Sequence, residues 1–191
     1  MRPSRLCLSY GVIWLVLAIS PNYRQDWLLE NLLVVIAVPV LYYAHQRQPF
    51  SHRATLLLWL FFVLHAVGAH YTYAEMPLFT ALADQFAWQR NHFDRLVHFL
   101  FGALLFLPLA EQLKPWLPSR RLVLVVSLLI LFSASGFYEI VEWLATEWTH
   151  PELGTAFLGT QGDPWDAQKD MVLAHLGALL AALVYVRRNH M

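Results

Sequence analysis

The chain has 191 residues, of which 58% are hydrophobic, 15% aromatic and 14% charged. Soluble domains carry about 25% charged residues, so this composition argues against a soluble domain and favours a protein embedded in a membrane. The formal net charge is zero and no basic patch stands apart from the membrane-flanking charges, which gives no support to a nucleic-acid partner.

Six apolar stretches predict one all-α domain, residues 1–191, that crosses the membrane six times. The hydrocarbon core of a bilayer is about 30 Å thick and needs about 20 residues of helix. Most of the stretches approach that length, and the first and last are shorter. The predicted spans are, in chain order, 6–20, 27–44, 55–73, 93–113, 122–145 and 171–186.

The first stretch has two interpretations. Arg2 and Arg5 followed by a short apolar run are typical of a secretory signal peptide, and Ala18 and Ser20 place small residues at a cleavage site. Pro21 would then follow the cut, where proline is a poor substrate for signal peptidase. We therefore predict a retained helix, although the charge pattern of the other loops is the same in both cases.

Basic residues predict the orientation of the bundle. With six spans, the two termini and the second and fourth connections share one side, and nine of the 13 Lys and Arg residues lie there. They are Arg2, Arg5, Arg47, Arg53, Lys114, Arg120, Arg121, Arg187 and Arg188. Because Lys and Arg collect on the cytoplasmic side, both termini are predicted to be cytoplasmic. Of the 13 Asp and Glu residues, only Glu111 lies near the cytoplasmic ends, so the chemistry is expected in the outer half.

Two long connections, 74–92 and 146–170, are predicted to face outward. Loops longer than about 12–15 residues in a compact domain are usually functional or disordered. Both carry aromatic residues, Trp88 and Trp165 among them, and Trp is enriched at membrane interfaces. We therefore expect ordered caps over the bundle, with turns rather than a helix across 153–165, which holds three glycines and a proline.

Polar side chains recur at one depth on four predicted spans. Asp94 and His98 are four residues apart, so they share a helical face. Glu139 and Glu142 are three apart and share a face in the same way. Following the direction of each span brings these pairs to the outer half of the bundle. The predicted cluster is His70, Glu75, Asp94, His98, Glu139, Glu142, Asp166 and Asp170.

A bilayer makes such a cluster costly. A charged side chain costs roughly 2.5–3.5 kcal/mol at the centre of a span, so these groups are expected to face inward, where basic side chains or a divalent metal neutralise them. The cofactor is left open, because imidazole with carboxylates suits Zn, Mn or Fe, and carboxylates alone suit Mg or Ca. The predicted metal ligands are Asp94, His98, Glu139, Asp170 and His70.

Paired carboxylates also suit proton transfer, because two acids at close range leave a proton donor beside a base. The predicted catalytic residues are Glu139, Glu142, Asp94 and Asp166. An anionic lipid head group is expected to contact Arg95, Lys169, Tyr73 and Glu75. Structural interpretations stand beside these. Asp94 and His98 could form an intrahelical pair, and the two acids at 166 and 170 could simply meet the helix dipole.

Four segments carry a resemblance to a known family. They read HYTYAEMP (70–77), NHFDRLVHFLFG (91–102), GFYEIVEW (136–143) and FLGTQGDPWDAQKDM (157–171). In these segments, and over nearly the whole chain, the sequence resembles the bacterial YjdF-type inner-membrane family, whose function is not established. The resemblance implies a small multi-pass protein of the bacterial cytoplasmic membrane.

A more distant resemblance is to VanZ-like membrane proteins. Their pattern has an Asp-Lys pair and a His-Phe pair that open one helix, a Glu-rich segment that ends the next, and an Asp before a Gly-Ala pair in the last. The corresponding positions are Asp94, Arg95, His98, Phe99, Glu139, Glu142, Asp166 or Asp170, Gly177 and Ala178. Arg95 replaces the usual Lys, and neither resemblance supplies a reaction.

Three functions fit these residues. The first is a membrane enzyme, a metal-assisted or acid–base hydrolase or transferase acting on a lipid or lipid-linked head group at the outer leaflet. The second is an accessory or structural membrane protein, in which the cluster is a buried polar latch that specifies helix pairing. The third is an ion-coupled transporter, which is disfavoured because transporter sites lie near the bilayer midplane between repeats. Membrane lipids are the expected partners, and the oligomeric state is left open.

Overall fold

The computed structural model describes residues 3–149 and 160–188, and all regular structure in those ranges is α-helical. Its helices are, in chain order, α1 (Pro3–Leu17), α2 (Arg24–Arg47), α3 (His52–Tyr71), α4 (Pro77–Phe86), α5 (Phe93–Leu113), α6 (Arg120–Thr149) and α7 (Asp166–Arg188). The all-α class predicted from the apolar stretches is therefore confirmed.

Five of these helices, α2, α3, α5, α6 and α7, are long and apolar enough to cross a membrane. The apolar part of α1, Ser4–Leu17, is shorter. α4 lies in the connection predicted to cap the bundle and begins at Pro77, whose missing N–H and fixed φ suit a first helical position. The long helices expose large apolar side chains, such as Leu32 at 57% and Leu180 at 51%, as surfaces that face lipid do.

The helix ends differ from the apolar stretches where polar residues flank them. α5 spans the predicted range 93–113, whereas α7 begins at Asp166 instead of 171 and α6 continues to Thr149 instead of 145. Apolar content marks the part of a helix inside the bilayer, while the backbone hydrogen bonds continue through the polar turns at each end. The turns predicted over 153–165 are present from Thr160 onward, and 153–159 lie outside the described residues.

α5 is the centre of the bundle, because it packs against α3, α6 and α7. Its contact with α7 is the most extensive, and glycines bring the two backbones together. A Cβ at Gly102 would overlap the carbonyl oxygen of Ala174, and one at Gly177 would overlap that of Phe99. An apolar cluster then joins α5, α6 and α7, namely Phe106, Ala110, Val123, Leu131, Ala178 and Ala182.

α1 and α2 both pack against α3, which carries them onto α5. α3 ends at Tyr71, and the next two residues have φ of 50°, a left-handed conformation that turns the chain back on itself. This turn places the Tyr73 ring against Gly68, where a Cβ would overlap it. Tyr73 then packs with Phe93 and Val97 of α5, so the turn joins α3 to the helix that carries the polar site.

Candidate metal centre

Three buried side chains from α5 and α7 converge on one point. Asp94 and His98 lie one turn apart on α5, and Asp170 lies near the start of α7. Each offers one ligand atom, and these atoms all lie within 4.8 Å of one another. The three residues are only 9%, 9% and 2% exposed, in that order. Two carboxylates and one imidazole at this spacing form a donor set that a divalent metal can use.

The glycine contact between α5 and α7 produces this convergence. Gly102 lies four residues after His98, and Ala174 lies four residues after Asp170. Residues four apart share a helical face, so the backbone contact between Gly102 and Ala174 lies one turn from the candidate metal centre. The small residues therefore set the distance between Asp170 on α7 and the two candidate ligands on α5.

α6 adds a carboxylate to this group. Glu139 Oε1 is 3.6 Å from His98 Nδ1, while Asp94 Oδ1 is 3.4 Å from His98 Nε2, so the imidazole lies between two acids. Glu139 Oε1 and Asp170 Oδ1 are buried and have no hydrogen-bond partner within residues 3–149 and 160–188. Buried side-chain oxygens are usually satisfied, so these two atoms are open to a cation or a proton.

Glu142 and Glu30 form a second acidic group beside the first. Glu142 lies one turn after Glu139 on α6. Its carboxyl group is close enough to Glu139 and Glu30 for their charges to interact. Glu30 is 4% exposed on α2 and accepts a hydrogen bond of 3.0 Å from the Tyr138 hydroxyl. α2 therefore contributes a buried acid to a cluster that was predicted to draw on α3, α5, α6 and α7.

Asp166 belongs to an ion-pair network at the start of α7. Arg90 binds both of its carboxylate oxygens, through Nη1 to Oδ1 and through Nη2 to Oδ2 at 3.0 Å. Arg95 Nη2 lies 3.1 Å from Asp166 Oδ1. Asp163 accepts hydrogen bonds from Arg95 at 2.7 Å and from Lys169 at 2.5 Å. The network ties the turn before α7 to the start of α5.

The network shifts the pKa of two groups outside the helices. The hydrogen bond from Lys169, and then that from the Trp165 backbone N–H, lower the pKa of Asp163 from 3.8 to about 2. Burial is the largest single effect on the pKa of Arg90 and lowers it, but the hydrogen bond with Asp166 and the negative charges of Asp166, Asp170 and Asp94 together outweigh burial, so the pKa is raised. Asp163 and Arg90 are therefore both charged at neutral pH.

Two members of the predicted cluster, His70 and Glu75, lie away from the metal centre. His70 Nδ1 faces the carbonyl oxygen of Leu17 at 2.8 Å. Glu75 accepts hydrogen bonds from Asn22 at 2.9 Å and from Tyr23 at 3.1 Å. Both side chains therefore hold the connection between α1 and α2. Chain position predicts the depth of a residue, whereas the direction in which it points depends on how the helices pack.

Tyr73, expected at a lipid head group, is 8% exposed and lies inside the bundle. Its hydroxyl is 2.6 Å from His65 Nδ1, and His65 Nε2 is 3.2 Å from the carbonyl oxygen of Glu30. The left-handed turn after α3 explains this placement, because it directs the side chain back along the helix. In the structure Tyr73 therefore contacts His65 of α3, and His65 in turn contacts α2.

Arg95 and Lys169 were also expected at a head group, and a surface cavity of about 470 Å³ lies beside them. Arg95 lines this cavity directly. Lys169 contacts Asp163, which forms part of the wall. The walls are a mixture of charged, polar and aromatic residues that include Trp88, Arg90, His92, Arg95, Gln161 and Asp163.

A second cavity, of about 440 Å³, lies between α2, α3, α5 and α6. Its walls are apolar along most of their length. At one end it reaches Asp94 and His98, together with the ring of Tyr138. The candidate metal centre therefore borders an apolar space on one side.

Three residues of the polar network were not predicted, namely Glu30, Arg90 and Asp163. A signal for Glu30 was present, since it follows Asp26 by four residues at the start of an apolar helix and the two share a face. Both are buried, at 4% and 5% exposed. Arg90 carried no such signal, because its partner Asp166 is 76 residues away.

Comparison with known proteins gives a consistent result. A family model described as "Predicted membrane protein (DUF2238)" matches residues 3–190. The inner membrane protein YjdF of Escherichia coli (strain K12) is 32% identical over 188 residues, which cover 96% of this chain and 88% of that relative. No solved structure matches. The resemblance to the YjdF-type family is confirmed, and the expected location in a bacterial inner membrane agrees with the description of the relative.

Proposed function

The chain belongs to the DUF2238 family of predicted membrane proteins, and on that premise we propose that it is a membrane-embedded, metal-dependent enzyme. Its centre is a divalent cation held by Asp94, His98 and Asp170. Its substrate is a lipid, or a lipid-linked molecule, whose polar head reaches the outer end of the bundle. A cation at this place supplies Lewis-acid activation of water or of a substrate oxygen, which suits hydrolysis or transfer of the head group.

One observation carries this proposal, the convergence of the three ligand atoms within 4.8 Å. Charged groups are expensive inside membrane-spanning helices, so two carboxylates beside an imidazole at one buried point require a compensating charge or proton. Asp170 is 2% exposed and its Oδ1 has no hydrogen-bond partner among the described residues. A cation between the three side chains would satisfy that oxygen and offset the two negative charges.

The two nitrogen atoms of His98 have different roles in this proposal. Nε2 is the ligand, because it faces Asp94. Nδ1 faces Glu139, and histidines that bind metals usually donate their second N–H to a carboxylate. Glu139 is therefore a positioning residue for His98 instead of a ligand. Glu142, one turn further along α6, is the proposed proton carrier.

Arg95 and Lys169 are proposed to attract the anionic part of the head group. Together with Arg90 they bring three positive charges to the surface cavity, against the two carboxylates of Asp163 and Asp166. These five groups together leave net positive charge at the surface cavity, which favours an anion. Asp166 is assigned a structural role here, because both of its oxygens are bound by Arg90.

We also propose six spans with both termini in the cytoplasm. The support is the distribution of Lys and Arg described above, together with the five long apolar helices and the shorter apolar helix Ser4–Leu17. Single-cysteine variants in a Cys7→Ala background test this. Leu78→Cys in α4 and Trp116→Cys between α5 and α6 are both at exposed positions, 58% and 80%. A membrane-impermeant maleimide is expected to label only Leu78→Cys in intact spheroplasts, and the reverse pattern would overturn the orientation.

Lipid turnover by the purified protein tests the enzymatic proposal. Proteoliposomes made from total bacterial membrane lipid are incubated with Zn²⁺, Mn²⁺, Fe²⁺ or Mg²⁺, and the lipids are followed by mass spectrometry. We expect loss of one lipid class only when a cation is present. Asp170→Asn should slow it by at least about 100-fold, since even residues that only orient a metal ligand are worth about 10–100-fold. Glu111→Gln changes an acid at the opposite end of α5 and should leave the rate of lipid turnover unchanged. Metal-loaded protein that converts no lipid would contradict the proposal.

A buried polar latch is the second candidate, and the ion-pair network favours it. The Arg90 and Asp166 side chains are 8% and 3% exposed, and they join the segment before α5 to the first residue of α7. Under this hypothesis the neutral variants Asp94→Asn and Asp170→Asn unfold the protein and no cation binds to the wild type. Folded variants that have lost a bound cation would instead support the metal centre.

A further inference from the structure

The apolar cavity between α2 and α6 has one polar end. Phe101 and Leu105 of α5 line its long side, and Asp94 and His98 of the same helix lie at the other end. From Asp94 to Leu105 the helix rises roughly 16 Å, at 1.5 Å per residue. The cavity therefore has the shape of a long apolar tube that ends at a charged group.

The tube is open toward the membrane. α2 packs against α3, and α6 packs against α5 and α7, so the walls formed by α2 and α6 face each other across a gap. Residues on both edges of this gap are accessible from outside the bundle. Ile36 on α2 is 64% exposed, and Phe137 and Val141 on α6 are 67% and 38% exposed. In a bilayer these positions face hydrocarbon, so the opening connects the cavity directly with the lipid chains.

A hydrogen bond joins α2 and α6 at the polar end of the cavity. Tyr138 lines the cavity and donates to Glu30 of α2 at 3.0 Å, and its ring centre is 5.9 Å from that of His98. The gap is therefore bridged next to the metal centre. Along the apolar part, the small side chains of Ala37 and Ala134 leave the space between the helices unfilled.

We infer that this cavity binds one hydrocarbon chain of a membrane lipid, which enters sideways between α2 and α6 and places its polar end at Asp94 and His98. The inference rests on the proposed function and adds to it the substrate class and the route of entry. Water finds few polar partners along a wall that is mostly apolar, whereas a hydrocarbon chain matches the wall along its length. A molecule with a chain and a polar head fits both ends of the cavity at once.

Photo-crosslinking with a defined lipid tests this inference. The probe is a phosphatidylethanolamine that carries a diazirine midway along one acyl chain, added to the purified, metal-loaded protein in nanodiscs. We expect adducts on Phe101 and Leu105, which are partly buried and line the cavity. Ala134→Trp should fill the cavity and lower these adducts at least about tenfold, equivalent to about 1.4 kcal/mol of binding free energy. Leu176→Trp, at a 47% exposed position on α7, should leave them unchanged.

Metal content measured on the same samples separates the two proposals. Adducts at Phe101 and Leu105 that disappear in Ala134→Trp, with the cation retained, support the chain-binding site. Ala37→Trp on the opposite wall gives the same readout if Ala134→Trp does not fold. Adducts spread over the outer faces of the helices and equal in all variants would overturn the inference, while a retained cation would leave the metal centre intact. Adducts in the cavity of a metal-free wild type would support the chain-binding site and contradict the metal centre.

Discussion

Gly102 on α5 and Gly177 on α7 each lie against the backbone of the other helix. A Cβ on Gly102 would overlap the carbonyl oxygen of Ala174, and a Cβ on Gly177 would overlap that of Phe99. Direct backbone contact of this kind is how small residues let membrane helices approach closely. It is also what brings Asp170 beside Asp94 and His98 on α5, so the packing of the helices and the geometry of the candidate metal centre depend on the same pair of glycines.

Gly102→Ala is expected to destabilise the protein and to weaken the metal centre. The added methyl group must push α7 away, and forcing extra atoms into a packed core costs roughly 1–3 kcal/mol. Unfolding by SDS in mixed micelles measures the loss of stability, and cation affinity measures the displacement of Asp170. Gly11→Ala is the matched control, because nothing lies within 4 Å of its Cβ. Equal stability of the two variants would show that the helices do not approach as described.

Arg90→Met should destabilise the fold by about 3 kcal/mol or more. The substitution removes the guanidinium group that binds both oxygens of the buried Asp166 carboxylate. The exposed Arg24, which donates a hydrogen bond to the Ala18 carbonyl, provides the control. Arg24→Met is expected to change stability by less than about 0.5 kcal/mol. Both are measured by the same SDS titration, and similar effects from the two substitutions would contradict the network.

Tyr73→Phe tests whether this residue contacts a lipid head group or holds the bundle together. Removing the hydroxyl leaves His65 Nδ1 without the partner seen at 2.6 Å, at a cost of roughly 1–3 kcal/mol. We therefore expect a loss of stability with little change in the apparent affinity for lipid. Unchanged stability with weaker lipid binding would support the head-group role predicted from the sequence.

Acid is expected to break the connection between Asp163 and its basic partners. The pKa of Asp163 is lowered from 3.8 to about 2, so its contribution to stability is complete above 3.8 and is lost as the pH falls through about 2. Stability measured between pH 5 and pH 2 should fall less in Asp163→Asn than in the wild type, and parallel curves would contradict the assignment.

The sequence predicted where the helices lie along the chain better than it predicted which way their side chains point in the bundle. Apolar runs located the long helices, and the four-residue spacing of Asp94 and His98 correctly placed both on one face. His70 and Glu75 were assigned the right helix region but point toward α1 and α2. Helical periodicity relates residues within one helix, whereas contacts between helices depend on packing, and no local pattern reports it.

Contacts between residues that are far apart in the sequence could not be predicted for the same reason. Tyr138 and Glu30 are 108 residues apart, and Arg90 and Asp166 are 76 apart. The predicted second span began at residue 27, which placed Asp26 outside it and hid the polar face that it shares with Glu30. In a membrane protein, buried acids at the end of a span are therefore worth including when polar clusters are assembled from sequence.

Metal content of the purified protein tests the central claim most directly. Wild type, Asp170→Asn and Asp26→Asn are equilibrated with Zn²⁺, Mn²⁺, Fe²⁺ or Mg²⁺, passed over a desalting column and measured by inductively coupled plasma mass spectrometry. Asp26 is a matched buried acid on α2 that accepts a hydrogen bond from Thr72 at 2.9 Å, a bond that asparagine can keep. We expect about one cation per chain in the wild type and in Asp26→Asn, and none in Asp170→Asn. A folded wild type that retains no cation, or equal cation content in all three proteins, would contradict the metal centre.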